Sequence, residues 1–199
     1  MSTFQARDPS APAFWTERFE KNFMPWDRGG VPEALQRFVS QSPEARVTLI
    51  PGCGMGYEVA YLSEAGWEVT AIDFSPAAVD AARAALGPSW AGRVVEADFF
   101  TYVPPQPLDL IYERAFLCAL PRATWPQIIQ RWAALLPRGG LLAGFFFFDD
   151  ALKGPPFGAD RDALEALLRP GFALIDDQDV TDSIPVFAGK ERWQVWRRI

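Results

Sequence analysis

Short apolar runs closed by turn residues recur along this chain, and stretches with apolar positions three and four apart lie between them. The first run, Arg46 to Pro51, has the length of a buried strand and ends in a cluster of glycines. Tyr57 to Ala65 has helical spacing, with Val59, Ala60, Tyr61 and Leu62 available for packing, and Gly66 stops it. Glu68 to Ile72 predicts a second strand, ending at Asp73. Ser75 caps the next helix, Pro76 occupies its first position, and an alanine-rich body runs to Leu86. Strands follow at Arg93 to Glu96 and at Leu108 to Tyr112. A helix over Trp125 to Leu136 stops at Pro137, Gly139 and Gly140, and a strand over Leu141 to Phe148 comes next. Asp160 caps a helix that ends by Leu168, and strands at Phe172 to Asp176 and Trp193 to Arg197 close the series. Strands alternating with helices build a parallel sheet covered on both faces. The last two strands have no helix between them and are expected to pair antiparallel at the edge. The reading is an α/β fold with a doubly wound, mostly parallel seven-stranded sheet.

The stretch before the first strand has another character. Phe4, Phe14, Trp15, Phe19, Phe23 and Trp26 crowd it, and Pro25, Gly29, Gly30 and Pro32 break it. It predicts a helix, then an irregular loop, then a helix after Pro32 with Ala34, Leu35 and Phe38 as its apolar stripe. We read residues 1–35 as an N-terminal lid and 36–199 as the core of one domain spanning 1–199.

Composition narrows the chemistry. The chain has 199 residues, a net charge of -6, two cysteines and no histidine. An acidic balance argues against a nucleic-acid partner. Two cysteines without histidine supply neither a disulfide framework nor a Cys/His metal site, so no metal is expected. Missing histidine also removes the commonest general base. No apolar stretch reaches membrane-spanning length. The expectation is a cytoplasmic monomer acting on a small molecule.

The strongest candidate site is the turn Pro51-Gly52-Cys53-Gly54-Met55-Gly56 after the first strand. Ligands of such sheets sit at the carboxyl ends of the strands. Alternating glycines let backbone approach a ligand closely, and the following helix offers free N–H groups. Asp73 lies about 20 residues on, where a carboxylate accepts from ribose hydroxyls. Asp98 ends the third strand beside Phe99 and Phe100, a carboxylate and rings able to hold an adenine. Turn and acids, each at a strand end and in order, point to a nucleotide-like cofactor. The G-x-G-x-G spacing and the lack of a Tyr-x-x-x-Lys pair count against a nicotinamide oxidoreductase.

That spacing resembles the first motif of class I methyltransferases, as does Leu135 to Leu142 leading into the fifth strand. Pro25-Trp26-Asp27-Arg28-Gly29-Gly30-Val31-Pro32 resembles the N-terminal signature of the thiopurine S-methyltransferase family, whose plant relatives methylate thiols, thiocyanate and halides. Tyr112 to Pro121, Lys153-Gly154-Pro155-Pro156-Phe157 and the tail from Gly189 resemble further segments of that family. The resemblance implies a Rossmann-like fold and S-adenosylmethionine as cofactor. It implies cofactor contacts at Trp26, Gly30, Gly52, Cys53, Gly54, Gly56, Asp73, Phe74, Asp98, Phe99 and Arg114. It places Arg114, with Glu113 beside it, at the transferred methyl and the acceptor. The plant enzymes carry a different residue at the Arg114 position. The implied acceptor is a thiol or thiopurine sulfur. Halide or thiocyanate, selenium or tellurium compounds, and a non-catalytic S-adenosylmethionine binder remain alternatives.

Several residues also have plainer readings. Asp27 and Arg28 read as a solvated pair, Cys53 as an inert turn residue, and Cys118 as packing under the fourth strand. Glu113 could instead cap a helix or pair with Arg114. Phe145 to Phe148 read as core, and Glu191 as surface charge.

Overall fold

The computed structural model describes residues 4–151 and 153–199, so the first three residues of the expected lid lie outside it. Seven strands form one sheet: β1 (Val47–Pro51), β2 (Glu68–Asp73), β3 (Val94–Glu96), β4 (Leu110–Arg114), β5 (Leu141–Phe147), β6 (Phe172–Asp179) and β7 (Glu191–Arg198). Their order is β3-β2-β1-β4-β5-β7-β6. The first five run parallel, and β7 lies antiparallel between β5 and β6. The expected antiparallel pairing of the last two strands is present. The reversed strand, β7, sits one place inside the edge, which β6 occupies.

The helices are α1 (Pro12–Glu20), α2 (Glu33–Gln41), α3 (Tyr57–Glu64), α4 (Pro76–Trp90), α5 (Trp125–Leu135) and α6 (Arg161–Leu168). Ser75 accepts from Ala78 N–H at 3.3 Å and Asp160 from Ala163 N–H at 2.9 Å, so both expected caps form. Gly87, at φ 64°, breaks α4 just past Leu86. One apolar layer packs Leu35, Val59, Leu62 and Val79 on one sheet face. The other packs Ile128, Trp132, Leu164 and Leu168 on the opposite face. The buried strands β1, β4 and β5 explain the nearly unbroken apolar runs of the sequence.

β6 and β7 outrun their predicted lengths because polar residues pair across them. Arg192 on β7 meets both Asp177 and Asp179 on β6, and Arg161 reaches Asp177 at 2.8 Å. Opposite charges facing each other across strands support the ladder where apolar alternation fades.

Candidate active site

Strand order reverses between β1 and β4. The chain leaves β1 toward β2 and β3, then returns to β4 on the other side. That reversal opens a crevice beyond the carboxyl ends of the strands. A cavity of about 500 Å³ lies there.

Its floor comes from the β1 turn. Gly52 and Gly54 line it at φ 74° and 52°, a backbone region that side chains rarely adopt. Gly52 N–H is held by Ile72 C=O at 2.8 Å. Gly56, at φ 78°, does not line the cavity; it starts α3, and a Cβ there would meet Leu86 at 2.9 Å. Cys53 is buried beneath the turn, and burial first, then Asp73, push its thiol far up. It is no nucleophile.

Asp73, at the end of β2, lines the cavity. Its Oδ1 accepts Ser75 N–H at 2.8 Å, while Oδ2 meets the Cys53 Sγ at 3.9 Å. Burial outweighs these contacts and pushes the carboxyl up to about 6. An acid this poorly matched, facing a cavity, suits a ligand bringing its own hydroxyl donors. Only the ionised form accepts from two hydroxyls, so S-adenosylhomocysteine binding is expected to weaken as pH falls below about 6. Calorimetric titrations at pH 5 and 8 check this; equal affinities would remove Asp73 from the cofactor contacts.

Phe74, Asp98, Phe99 and Phe100 also line the cavity. Asp98 Oδ1 holds Phe100 N–H at 2.8 Å, and Phe99 stacks edge-on against Phe116 at 5.0 Å. The N-terminal segment forms the facing wall. Trp26 packs edge-on against Trp15 at 5.4 Å, and both reach the cavity with Phe14 and Phe19 of α1. The Thr16 and Ser75 hydroxyls, 2.9 Å apart, tie α1 to the start of α4. Gly30 does not line the cavity.

Two expectations about charges need correction. Arg28 does not form a solvated pair with Asp27. It binds Asp182 at 2.6 Å and joins the N-terminal segment to the β6–β7 connection, while Asp27 holds Gly29 N–H at 3.0 Å. Glu191 is not surface charge. Its side chain is 3% exposed and binds Arg114 at 2.8 Å, with Ser183 Oγ donating to it at 2.7 Å. The register brings them together: Arg114 on β4 sits beside Phe145 on β5, and Glu191 on β7 beside Phe147. No spacing in the sequence signals a pair 77 residues apart.

Arg114 lines the cavity. Its guanidinium lies 4.4 Å from the Phe145 ring centroid and 5.6 Å from that of Phe187. Burial works against its charge, but Tyr112, Glu191 and Glu58 outweigh that and hold its pKa above the ordinary value. Glu113 does not reach this cavity. Alternation along β4 turns it to the other face, where it is fully buried. Cys118 lies past the end of β4 and lines the cavity with Leu120, Pro155, Pro156 and Val186. Phe145, Phe146 and Phe147 are core, and none lines the large cavity.

A family profile described as Thiopurine S-methyltransferase (TPMT) matches residues 10–199. The chain belongs to the thiopurine S-methyltransferase family. Thiocyanate methyltransferase 1 of Arabidopsis thaliana is 30% identical over 196 residues, covering 93% of this chain and 84% of that protein. The thiopurine S-methyltransferase of Pseudomonas putida is 30% identical, covering 87% of this chain and 88% of the relative. In fold, the chain is similar to the Burkholderia thailandensis 1,6-didemethyltoxoflavin-N1-methyltransferase solved with S-adenosylhomocysteine, at TM-score 0.74 and 21% identity over 100% of this chain and 93% of the other. This thiopurine S-methyltransferase family member is an S-adenosylmethionine-dependent methyltransferase with a Rossmann-like fold, acting on a small molecule. No helix among its described residues is long and apolar enough to cross a membrane.

Proposed function

We propose that the cavity methylates a small, soft nucleophile, a thiol or thiopurine sulfur. Arg114 carries this reading: a cation held by Glu191 in a cavity whose lining also includes Cys118, Leu120, Pro155, Pro156 and Phe187. A polarisable anion fits such a wall better than a strongly hydrated one.

The residues divide between two partners. Asp73 takes the ribose hydroxyls, and Asp98, Phe99 and Phe74 frame the adenine. Gly52 and Gly54 bring backbone against the methionine portion, and Trp26 covers the sulfonium. Bound S-adenosylmethionine supplies a methyl group already activated for displacement, leaving a neutral thioether. Arg114 stabilises the acceptor as thiolate, lowering a thiol pKa from its ordinary ~8.5. No general base is then required, in keeping with a chain without histidine. The remaining contribution is alignment of nucleophile, methyl and sulfur, worth several kcal/mol of barrier. Cys53, Gly56 and Gly30 support the floor and wall and need not touch the cofactor. The reading includes a cytoplasmic monomer; its net charge of -6 supports action without nucleic acid.

The test is S-adenosylhomocysteine formation from labelled cofactor with thiols, thiopurines, selenium compounds, halides and thiocyanate. Turnover is expected with the sulfur acceptors. Arg114→Ala is expected to cut kcat/KM for the acceptor about 10–100-fold, the range of a lost charge-assisted contact, and change the S-adenosylhomocysteine Kd far less. Equal losses in both would move Arg114 to the cofactor. Tight binding with no turnover across the panel would favour a binding protein.

A further inference from the structure

Glu113 is a buried carboxyl group that the proposed reaction does not use. It sits on the β4 face opposite Tyr112 and Arg114 and is 1% exposed. Its backbone lies hard against β5, where a Cβ on Gly144 would run into the Glu113 carbonyl. Oε1 accepts Leu117 N–H at 2.7 Å. Oε2 is buried without a hydrogen-bond partner. The carboxyl lines a void of about 10 Å³ walled mainly by Trp125, Phe145, Phe146, Phe157 and Leu164. That space holds at most about one water, and its walls offer few partners for one.

The Leu117 amide belongs to a turn that shapes the cavity. Ala115 leaves β4 at φ 58°, and a short 3-10 turn follows at Leu117–Ala119. Ala115, Phe116, Cys118, Ala119 and Leu120 all face the cavity. Anchors from outside the turn hold its carbonyls. Trp125 Nε1 donates to the Leu117 and Leu120 carbonyls at 3.0 Å, and Phe157 N–H to the Cys118 carbonyl at 2.6 Å. At its start, the Glu113 carboxyl takes the Leu117 amide. An apolar residue there would leave that buried amide unpaired.

We propose that Glu113 is a positioning residue for methyl transfer, its buried carboxyl clamping the Leu117 amide so that Arg114 and the 115–120 wall meet the acceptor in one arrangement. This rests on the reading of that wall as the acceptor side. Burial pushes the carboxyl up to about 7, against the pull of the Leu117 amide and Arg114. The ionised form grips the Leu117 amide more tightly. Acceptor KM should therefore fall as pH rises through about 7. The ionisable groups around Glu113 are Tyr112, Arg114, Cys118 and Glu191, with Glu58 beyond Tyr112. Tyr112, Arg114 and Cys118 are all pushed upward, away from neutrality. Glu58 is also raised, by burial, so the Glu113 variant is needed to assign the inflection.

The experiment compares wild type, Glu113→Gln and Glu113→Leu, with saturating cofactor and thiocyanate or 6-mercaptopurine as acceptor. Thiocyanate serves for the pH profile because its charge is constant across the range. Glu113→Leu is expected to raise acceptor KM about tenfold while the S-adenosylhomocysteine Kd stays within about twofold. Glu113→Gln, which keeps Oε1, is expected to recover most of that loss but to lose the inflection near pH 7. Wild-type KM in Glu113→Leu, an unchanged pH profile in Glu113→Gln, or parallel losses of KM and Kd would each overturn the proposal. If Glu113→Leu does not fold, the Glu113→Gln profile decides alone. Amide exchange at Leu117 separates this proposal from the acceptor reading. Protection lost in Glu113→Leu and kept in Glu113→Gln supports the clamp even where neither probe is methylated; equal protection in all three chains overturns it.

Discussion

Asp73→Ala is expected to weaken S-adenosylhomocysteine binding about 10²–10⁴-fold while the fold survives. The carboxylate has Oδ1 on Ser75 N–H at 2.8 Å and Oδ2 3.9 Å from the Cys53 thiol. Two ribose hydroxyls would convert a poorly matched buried acid into a fully paired one. Hydrogen bonds to a charged group are worth about 1.5–3 kcal/mol each, and each 1.4 kcal/mol is tenfold in affinity. The apoprotein should not suffer. With its pKa raised from 3.8 to about 6, this group costs folding stability, a cost that builds as pH rises through that window and persists above it. Removing it should therefore leave the unliganded melting temperature at pH 8 unchanged or higher. Calorimetry measures the affinity and thermal unfolding the stability. A loss under about fivefold would show that the ribose lies elsewhere.

The second large effect is on stability. Glu191→Ala leaves Arg114 charged, 12% exposed and without its 2.8 Å partner. Breaking a buried pair on one side costs about 3–5 kcal/mol. For a chain of this size each kcal/mol lowers Tm by about 2–4 °C, so a fall of about 10 °C is expected. Glu191→Gln should fall less, because it can still accept from Arg114 and Ser183. The double variant Arg114→Ala with Glu191→Ala should melt higher than Glu191→Ala alone, since it removes the stranded charge. A fall of under about 2 °C for Glu191→Ala would mean that water reaches Arg114 freely.

The parts that the sequence made legible are those set by local chemistry. Apolar run length marked β1, β4 and β5, and Ser75 and Asp160 marked the starts of α4 and α6. The glycine turn, Asp73 and Asp98 stood out because each closes a strand, and the fold brings them to one cavity. What stayed hidden depends on register between distant strands. Glu191 looks like any charged residue near Arg192 and Lys190 until β7 is laid beside β5. Arg28 looks solvated until the β6–β7 connection brings Asp182 to it. Glu113 and Arg114 are adjacent in the chain, yet the sheet sends them to opposite faces, and only Arg114 reaches the cavity. A family motif locates such a pair without saying which side chain points where.

The place of β7 bears on how the chain is assembled during synthesis. It follows β6 in the chain, yet it lies between β5 and β6. Until it leaves the ribosome, the Leu141–Phe147 edge, a run of wholly buried residues in the finished fold, has no neighbour on that side. The nascent chain therefore carries an open, aromatic strand edge through the translation of some forty further residues, the kind of edge that invites pairing with other chains. Arg114 likewise waits for Glu191 throughout that interval. Chaperone demand for this protein should fall once β7 emerges, when one strand seals the edge and neutralises the cation together.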